Sequence, residues 1–193
     1  MASTSQRFMD VILLSMLNLL TFVWIRPVNG DIYVKNIFTN HTVEKYQDVQ
    51  SSFGLDFPND GLEGWLVYAS PDSTACSPVY GPPVNETKCD VTTCNYILLI
   101  ARGGKCEFSD KVLNAQQHQY SAAIVHNYMH NEDTFAMGGG TNGSLVNIPS
   151  TFVGYSDGME LRQFNYTHRK YIIKIVEDDT ELKLFLWPFA VVV

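Results

Sequence analysis

A chain of 193 residues with 46% hydrophobic and 17% charged side chains suits one domain with a sizeable core, plus appendages. Its formal net charge of −7 gives an acidic surface, which argues against nucleic acid and against anionic lipid as partners. Without residues 1–30, which hold only Arg7, Arg26 and Asp10 among charged side chains, the acidic excess grows by one.

The start reads as a secretory signal peptide spanning residues 1–30. Arg7 precedes the apolar run Val11 to Ile25, interrupted only by Ser15, Asn18 and Thr21, and Val28-Asn29-Gly30 offers small residues for cleavage. The run falls short of the ~20 residues that a retained membrane span needs. Asp31 to Phe38 then alternates weakly and predicts a first strand, with Ile32 and Val34 on one side. Thr39 to Asp60 is polar and closes in a turn cluster at Phe57 to Gly61, with Phe53, Leu55 and Phe57 alternating toward the core. Gly64 to Ala69 is a buried strand rich in aromatic and branched residues.

Ser70 to Cys94 is a proline-rich loop holding Cys76, Cys89 and Cys94; Cys106 follows. Behind a signal peptide these four cysteines lie in an oxidising compartment and predict disulfides, and three pairings are open. A four-cysteine zinc site competes, but the spacings lack paired C-x2-C knuckles.

Tyr96 to Asn127 reads as strand, turn, helix, strand. Ile97 to Ile100 form a continuous apolar run, Arg102-Gly103-Gly104 break it, and Phe108, Val112, Ala115 and Gln119 then share a helical face with Ser109 or Asp110 as cap. Ala122 to Val125 return as a strand that a crossover helix places parallel to the first. Tyr128 to Asn147 is polar and glycine-rich, and is either a recognition loop or a solvated connection; Tyr128, Met129, His130, Glu132 and Asp133 are its candidate binding residues. Ile148 to Gly154 is a strand, Ser156 to Phe164 a short helix with a capping box from Asp157 and Glu160, and Lys170 to Val176 a last strand. An acidic spacer, Glu177 to Glu181, leads into the apolar stretch Leu182 to Val193. As a helix those twelve residues would rise only about 18 Å.

Asn40, Asn85, Asn142 and Asn165 each begin an N-x-S/T acceptor sequon, and four behind a signal peptide fit a glycosylated luminal domain. Catalytic constellations are thin. Gly154-Tyr155-Ser156-Asp157-Gly158 matches G-x-S-x-G at a strand-to-helix turn, but the one later histidine is His168 and the chain is short for a hydrolase sheet, so Ser156 and Asp157 are assigned to helix capping. His126 and His130 stand four apart without an H-E-x-x-H motif, and no carboxylates are ordered into a pair or a calcium loop. No metal or cofactor is expected.

The string Ile100, Arg102, Cys106, Phe108, Lys111 to Ala115, Ala122 to Asn127, with Met137-Gly138 and Ile148 to Gly154 behind it, resembles the protease-associated (PA) domain. Within that family it is most similar to the luminal PA domain of the Goliath-type transmembrane RING ubiquitin ligases. The resemblance implies an α+β fold, an open barrel-like sheet with helices near Phe108 to Gln119 and Ser156 to Phe164, over a domain of residues 31–181. It pairs Cys76 with Cys106 and leaves Cys89 with Cys94. It makes residues 182–193 the truncated start of a transmembrane segment, which a zinc-binding cytosolic RING would follow. No RING ligand set occurs here, so ligase activity would belong to a longer product, and these residues would engage luminal or membrane protein cargo in an endosome, lysosome, ER or Golgi membrane. A secreted PA glycoprotein, a sorting-receptor-type module and the PA domain of a protease are the alternatives. His118-Gln119-Tyr120 departs from the small Ala-Gly usual after the helix.

Overall fold

Two segments, Ile97 to Ile100 and Ala122 to Val125, are apolar without alternation because both of their faces are covered. A computed structural model, describing residues 29–83, 95–130 and 133–177, shows what covers them. The strands are β1 (Asn29–Asn36), β2 (Thr42–Gln50), β3 (Leu62–Tyr68), β4 (Tyr96–Ala101), β5 (Ala122–His126), β6 (Ser150–Val153) and β7 (Tyr171–Glu177). Helix α1 spans Phe108–Gln117 and α2 spans Tyr155–Leu161. The sheet order is β1-β2-β6-β5-β4-β3-β7, and β7 also pairs with β1. The barrel-like sheet expected from the sequence is therefore present, and its ring of pairings is complete rather than open.

Ile32, Val34, Tyr46, Leu66, Ile97, Leu99, Ile124, Val153, Ile173 and Ile175 meet in one apolar cluster. All seven strands contribute, so this is the barrel interior. Leu98, Ile100, Ala123, Val125 and Phe152 point the other way, against Val112 and Ala115 of α1. Strict alternation along β4 and β5 thus feeds two cores, and each fully buried Ile or Leu contributes about 1.5–3 kcal/mol.

Strands β3, β4, β5 and β6 run parallel to one another, as the crossover argument required of β4 and β5. Their carboxyl ends gather at one end of the barrel with the β1–β2 hairpin and the start of β7. At the opposite end Gly30 of β1 pairs with Glu177 of β7. β1 begins at Asn29, two residues inside the segment assigned to the signal peptide; residues 1–28 and 178–193 lie outside the described residues.

Several local expectations are corrected. Thr39 to Asp60 is not merely polar connection, since it contains all of β2; Glu44, Lys45 and Gln47 mask that strand, while Tyr46, Asp48 and Val49 are buried. Phe57 is buried and Phe53 partly so, but Leu55 is exposed. The cap of α1 is Glu107, in a reciprocal box with Asp110, whose carboxylate accepts the Glu107 N–H at 3.0 Å. Ser109 is inside the helix and buried. Gln119 leaves the helical face: it is exposed with φ 68° just beyond the helix end, the left-handed stop that usually falls to glycine. Helix α2 is capped by the backbone of Gly154, with no box between Asp157 and Glu160, and Ser156 is exposed.

The second glycine of the G-x-S-x-G string has a packing reason. A Cβ on Gly158 would stand 2.1 Å from Cβ of His126, so α2 lies on the end of β5 only because residue 158 has no side chain. Gly158→Ala is expected to force α2 away and cost about 1–3 kcal/mol, read as a shifted denaturant midpoint. An unchanged midpoint would mean that α2 does not rest on β5 through this contact.

Candidate functional site

The carboxyl ends of parallel strands are where side chains from consecutive strands converge on a surface, and ligands of parallel sheets bind there. Here β4 delivers Arg102 and β5 delivers His126, Asn127 and Tyr128. The Arg102 N–H donates to the His126 carbonyl at 2.8 Å and the Asn127 N–H to that of Val153 at 3.0 Å, so the sheet ladder carries on past the strand ends. Asn127 is fully buried. Its Oδ1 accepts from Arg102 Nη1 at 3.1 Å and from the Tyr128 N–H at 2.8 Å. The Arg102 guanidinium lies 5.1 Å from the Tyr128 ring centroid and 5.0 Å from that of Phe135, a cation between two aromatic rings.

This clamp holds Tyr128 and Phe135, at either end of the segment that the sequence singled out. Tyr128, Met129, His130 and Asp133 are all exposed, Tyr128 and Met129 being about half accessible; Glu132 lies outside the described residues. The loop returns to the body at buried Met137, whose carbonyl accepts from the N–H and the hydroxyl of Ser52 at 3.0 and 2.9 Å. Phe135 packs against Phe152, with ring centroids 4.6 Å apart. Between its two anchors the loop presents aromatic, thioether and imidazole groups to solvent.

Behind it sits His126, buried against Tyr68 and Tyr155. Its Nδ1 is 2.7 Å from the Asn127 carbonyl, which can only accept, so Nδ1 carries the proton and Nε2 faces the Tyr68 hydroxyl at 3.5 Å. Burial lowers its pKa, and the nearby Arg162 lowers it further, against the opposing hydrogen bond to Asn127. A neutral imidazole filling a wall is the result. The His130 ring meets Tyr155 at 4.2 Å, and the Arg162 guanidinium covers the Tyr68 ring at 4.2 Å.

No reaction is assembled from these groups. Among the described residues no hydrogen bond or ring contact joins Ser156 to a histidine, and no cluster of three His, Cys, Asp or Glu side chains could hold a metal. His126 and His130 each pack against Tyr155, with ring centroids 6.5 and 4.2 Å away. The arrangement is suited to surface recognition. Arg102 and Asn127 were given no role from sequence alone, although their position directly after apolar parallel strands was readable.

Cys76 and Cys106 are disulfide-bonded, with Cα atoms 5.5 Å apart. Cys89, Cys94 and Asn85 lie outside the described residues. Asn40 sits exposed in the β1–β2 hairpin with φ 54°. Asn142 donates through Nδ2 to Asp110 at 2.7 Å, and Asn165 accepts the Thr167 N–H at 3.3 Å.

Comparison with known proteins places this architecture. The PA domain family model matches residues 62–161, from the first residue of β3 to the last of α2. The chain belongs to the PA domain family. Over 178 residues it is 36% identical to the human E3 ubiquitin-protein ligase RNF13, covering 91% of this chain and 44% of that protein. It is 28% identical over 170 residues to the Drosophila melanogaster E3 ubiquitin-protein ligase Godzilla, covering 86% of this chain and 30% of that protein. A rice protein, "Receptor homology region, transmembrane domain- and RING domain-containing protein 1", is 32% identical over 127 residues, covering 66% and 22%. This PA chain thus spans less than half the length of these relatives. Among solved structures, the zinc aminopeptidase BSAP from Bacillus subtilis superposes with a TM-score of 0.51 at 15% identity, covering 91% of this chain and 38% of that one, which reflects a common fold.

Proposed function

We propose that this PA domain is the luminal, partner-recruiting part of a membrane-anchored RING-type E3 ubiquitin ligase, and that it engages luminal or membrane protein cargo through the Tyr128 to Asp133 loop. Ubiquitin transfer would belong to a RING outside this sequence, with zinc bound there and no cofactor needed here. The observation that carries the reading is the Arg102 clamp: the exposed Tyr128, next to the exposed Met129, is held by Asn127 and Arg102, with little ordering of that aromatic left for a partner to impose. Tyr and Arg are also the residues on which protein interfaces concentrate binding energy. The geometry of the barrel supports the same orientation. The chain proceeds toward Leu182 to Val193 from the end where Glu177 pairs with Gly30, so a membrane segment there would leave the loop facing away from the bilayer.

The test is a photo-crosslinking residue at position 129, with one at exposed Asp60 on the opposite end as control, in cells expressing the membrane-bound protein. Adducts are expected at 129 alone. The Tyr128→Ala/Met129→Ala variant should lose partner capture at least about tenfold, while its unfolding free energy stays within about 0.5 kcal/mol of the parent. Equal adduct yields at both positions would remove the loop from the account.

A further inference from the structure

Beside the carboxyl end of β3 lies a cavity of about 240 Å³ that the recruitment loop does not line. Four tyrosines, Tyr68, Tyr80, Tyr120 and Tyr166, line it together with Pro83, Asn165 and other small or polar residues. It is smaller than the ~300 Å³ at which sites for drug-sized ligands begin. Among the described residues no charged side chain lines it. Buried Tyr120 donates to the Tyr80 carbonyl at 3.0 Å, and Tyr96 of β4 to that of Pro83 at 3.5 Å, so the two tyrosines hold the outer segment Tyr80 to Pro83 in place as one wall.

Tyrosine side chains, with no charged side chain among the described lining, match a neutral sugar ring, whose faces are C–H and whose edge is hydroxyl. One wall residue, Asn165, is itself the acceptor of a glycosylation sequon, with Tyr166 and Thr167 as its other members and both also lining the cavity. The Asn165 Oδ1 is turned to the Thr167 N–H, so the two halves of the amide are distinguished and Nδ2 is the half left for attachment. Asn142 differs, because its Nδ2 is engaged by Asp110, and Asn40 stands on an exposed hairpin tip outside this cavity.

We infer that the cavity seats the first N-acetylglucosamine of a glycan on Asn165, among the tyrosine side chains, so that the modification is a structural part of the domain rather than a surface ornament. The inference rests on the luminal reading above. Attachment exchanges an Nδ2–H bond for a bond from Nδ2 to C1 of the sugar, with release of the proton and of the lipid pyrophosphate of the oligosaccharide donor.

Secreted domain from animal cells provides the test, with site occupancy read by mass spectrometry and stability by thermal unfolding. Thr167→Ala removes the glycan but keeps the Asn165 side chain; Thr167→Ser keeps both; Thr42→Ala removes a glycan on Asn40, remote from the cavity. Occupied Asn165, with Tm lowered by about 3 °C in Thr167→Ala and unchanged in the other two, is the expected result. Occupancy at Asn165 with no change of Tm in Thr167→Ala overturns the docking, as does occupancy at Asn40 with Asn165 bare; both leave the luminal reading intact. Absence of sugar from every sequon overturns the luminal reading and the docking together.

Discussion

Replacing both Cys76 and Cys106 by alanine is expected to cost about 3–4 kcal/mol of unfolding free energy. The bridge closes a loop across a sequence separation of 30, and in the chain-entropy account that restriction of the unfolded chain sets the figure. It ties the loop after β3 to the turn between β4 and α1. The same two segments are also joined without covalent help. Asp72 accepts N–H groups of Thr74, Cys76 and Ser77 at 2.9 to 3.0 Å, folding the loop on itself. Lys111 of α1, almost fully buried, then donates to the carbonyls of Thr74 at 2.6 Å and Gly103 at 2.7 Å. Burial pushes its ammonium down to about 8, which leaves it charged at neutral pH and its two acceptors satisfied. Lys111→Met is accordingly expected to cost about 1–3 kcal/mol for each carbonyl stranded. Guanidinium unfolding of the single, paired and triple variants separates the two links. A loss below about 1 kcal/mol for the cysteine pair would show that Asp72 and Lys111 alone fix the loop, and that the unfolded chain is already compact there.

How much of this could be read from the chain depended on whether a residue's reason was local. The β4–α1–β5 unit was legible because double burial leaves uninterrupted apolar runs and a helical period between them. β2 was not, because its outward side chains are charged and its partners, β1 and β6, are supplied by tertiary pairing. The cap of α1 was misplaced by two or three residues: Ser109 is a better cap by preference, yet Glu107 also reaches the Thr141 N–H at 2.8 Å, a contact invisible along the sequence. Gly158 shows the same limit from another side, since a catalytic string fits its spacing while its cause is the approach of α2 to His126. The recruitment loop was legible as a loop. The sandwich of Arg102 between Tyr128 and Phe135 was not, because only the strand order brings those three segments together. Nor were four tyrosines from Tyr68 to Tyr166 legible as one wall.

Stability should fall as pH rises from about 4 through about 7, and Asp48→Asn should abolish that fall. Asp48 is buried on β2, where its carboxylate accepts the Thr151 hydroxyl and its other oxygen, Oδ1, has no partner among the described residues. Burial pushes its pKa up to about 7; the Thr151 hydroxyl pulls the other way, and Asp31 on β1 raises it again. Asp31 is itself paired with Lys45 at 2.8 Å, so that lysine does little for Asp48. A pKa raised in the folded state means that folding favours the proton. The contribution is complete below the unfolded value near 4, is lost progressively up to about 7, and is level above, a total on the order of a few kcal/mol. The loss falls on a weak place. β2 and β6 pair only through Val49 with Phe152 and Gln50 with Thr151, the shortest joint in the ring, and Asp48 and Thr151 stand at it. Ionisation puts an uncompensated charge at the joint, and β6 leads directly into the wall of the recruitment site. Unfolding midpoints of parent and Asp48→Asn from pH 4.5 to 8 decide the matter, the variant being flat where the parent slopes. Thr151→Val sharpens the test, because removal of the donor should push the Asp48 carboxyl higher and deepen the loss at pH 8. Parallel slopes in parent and Asp48→Asn would assign the pH dependence to another group. The direction is that the joint closes more firmly as the surroundings become more acidic.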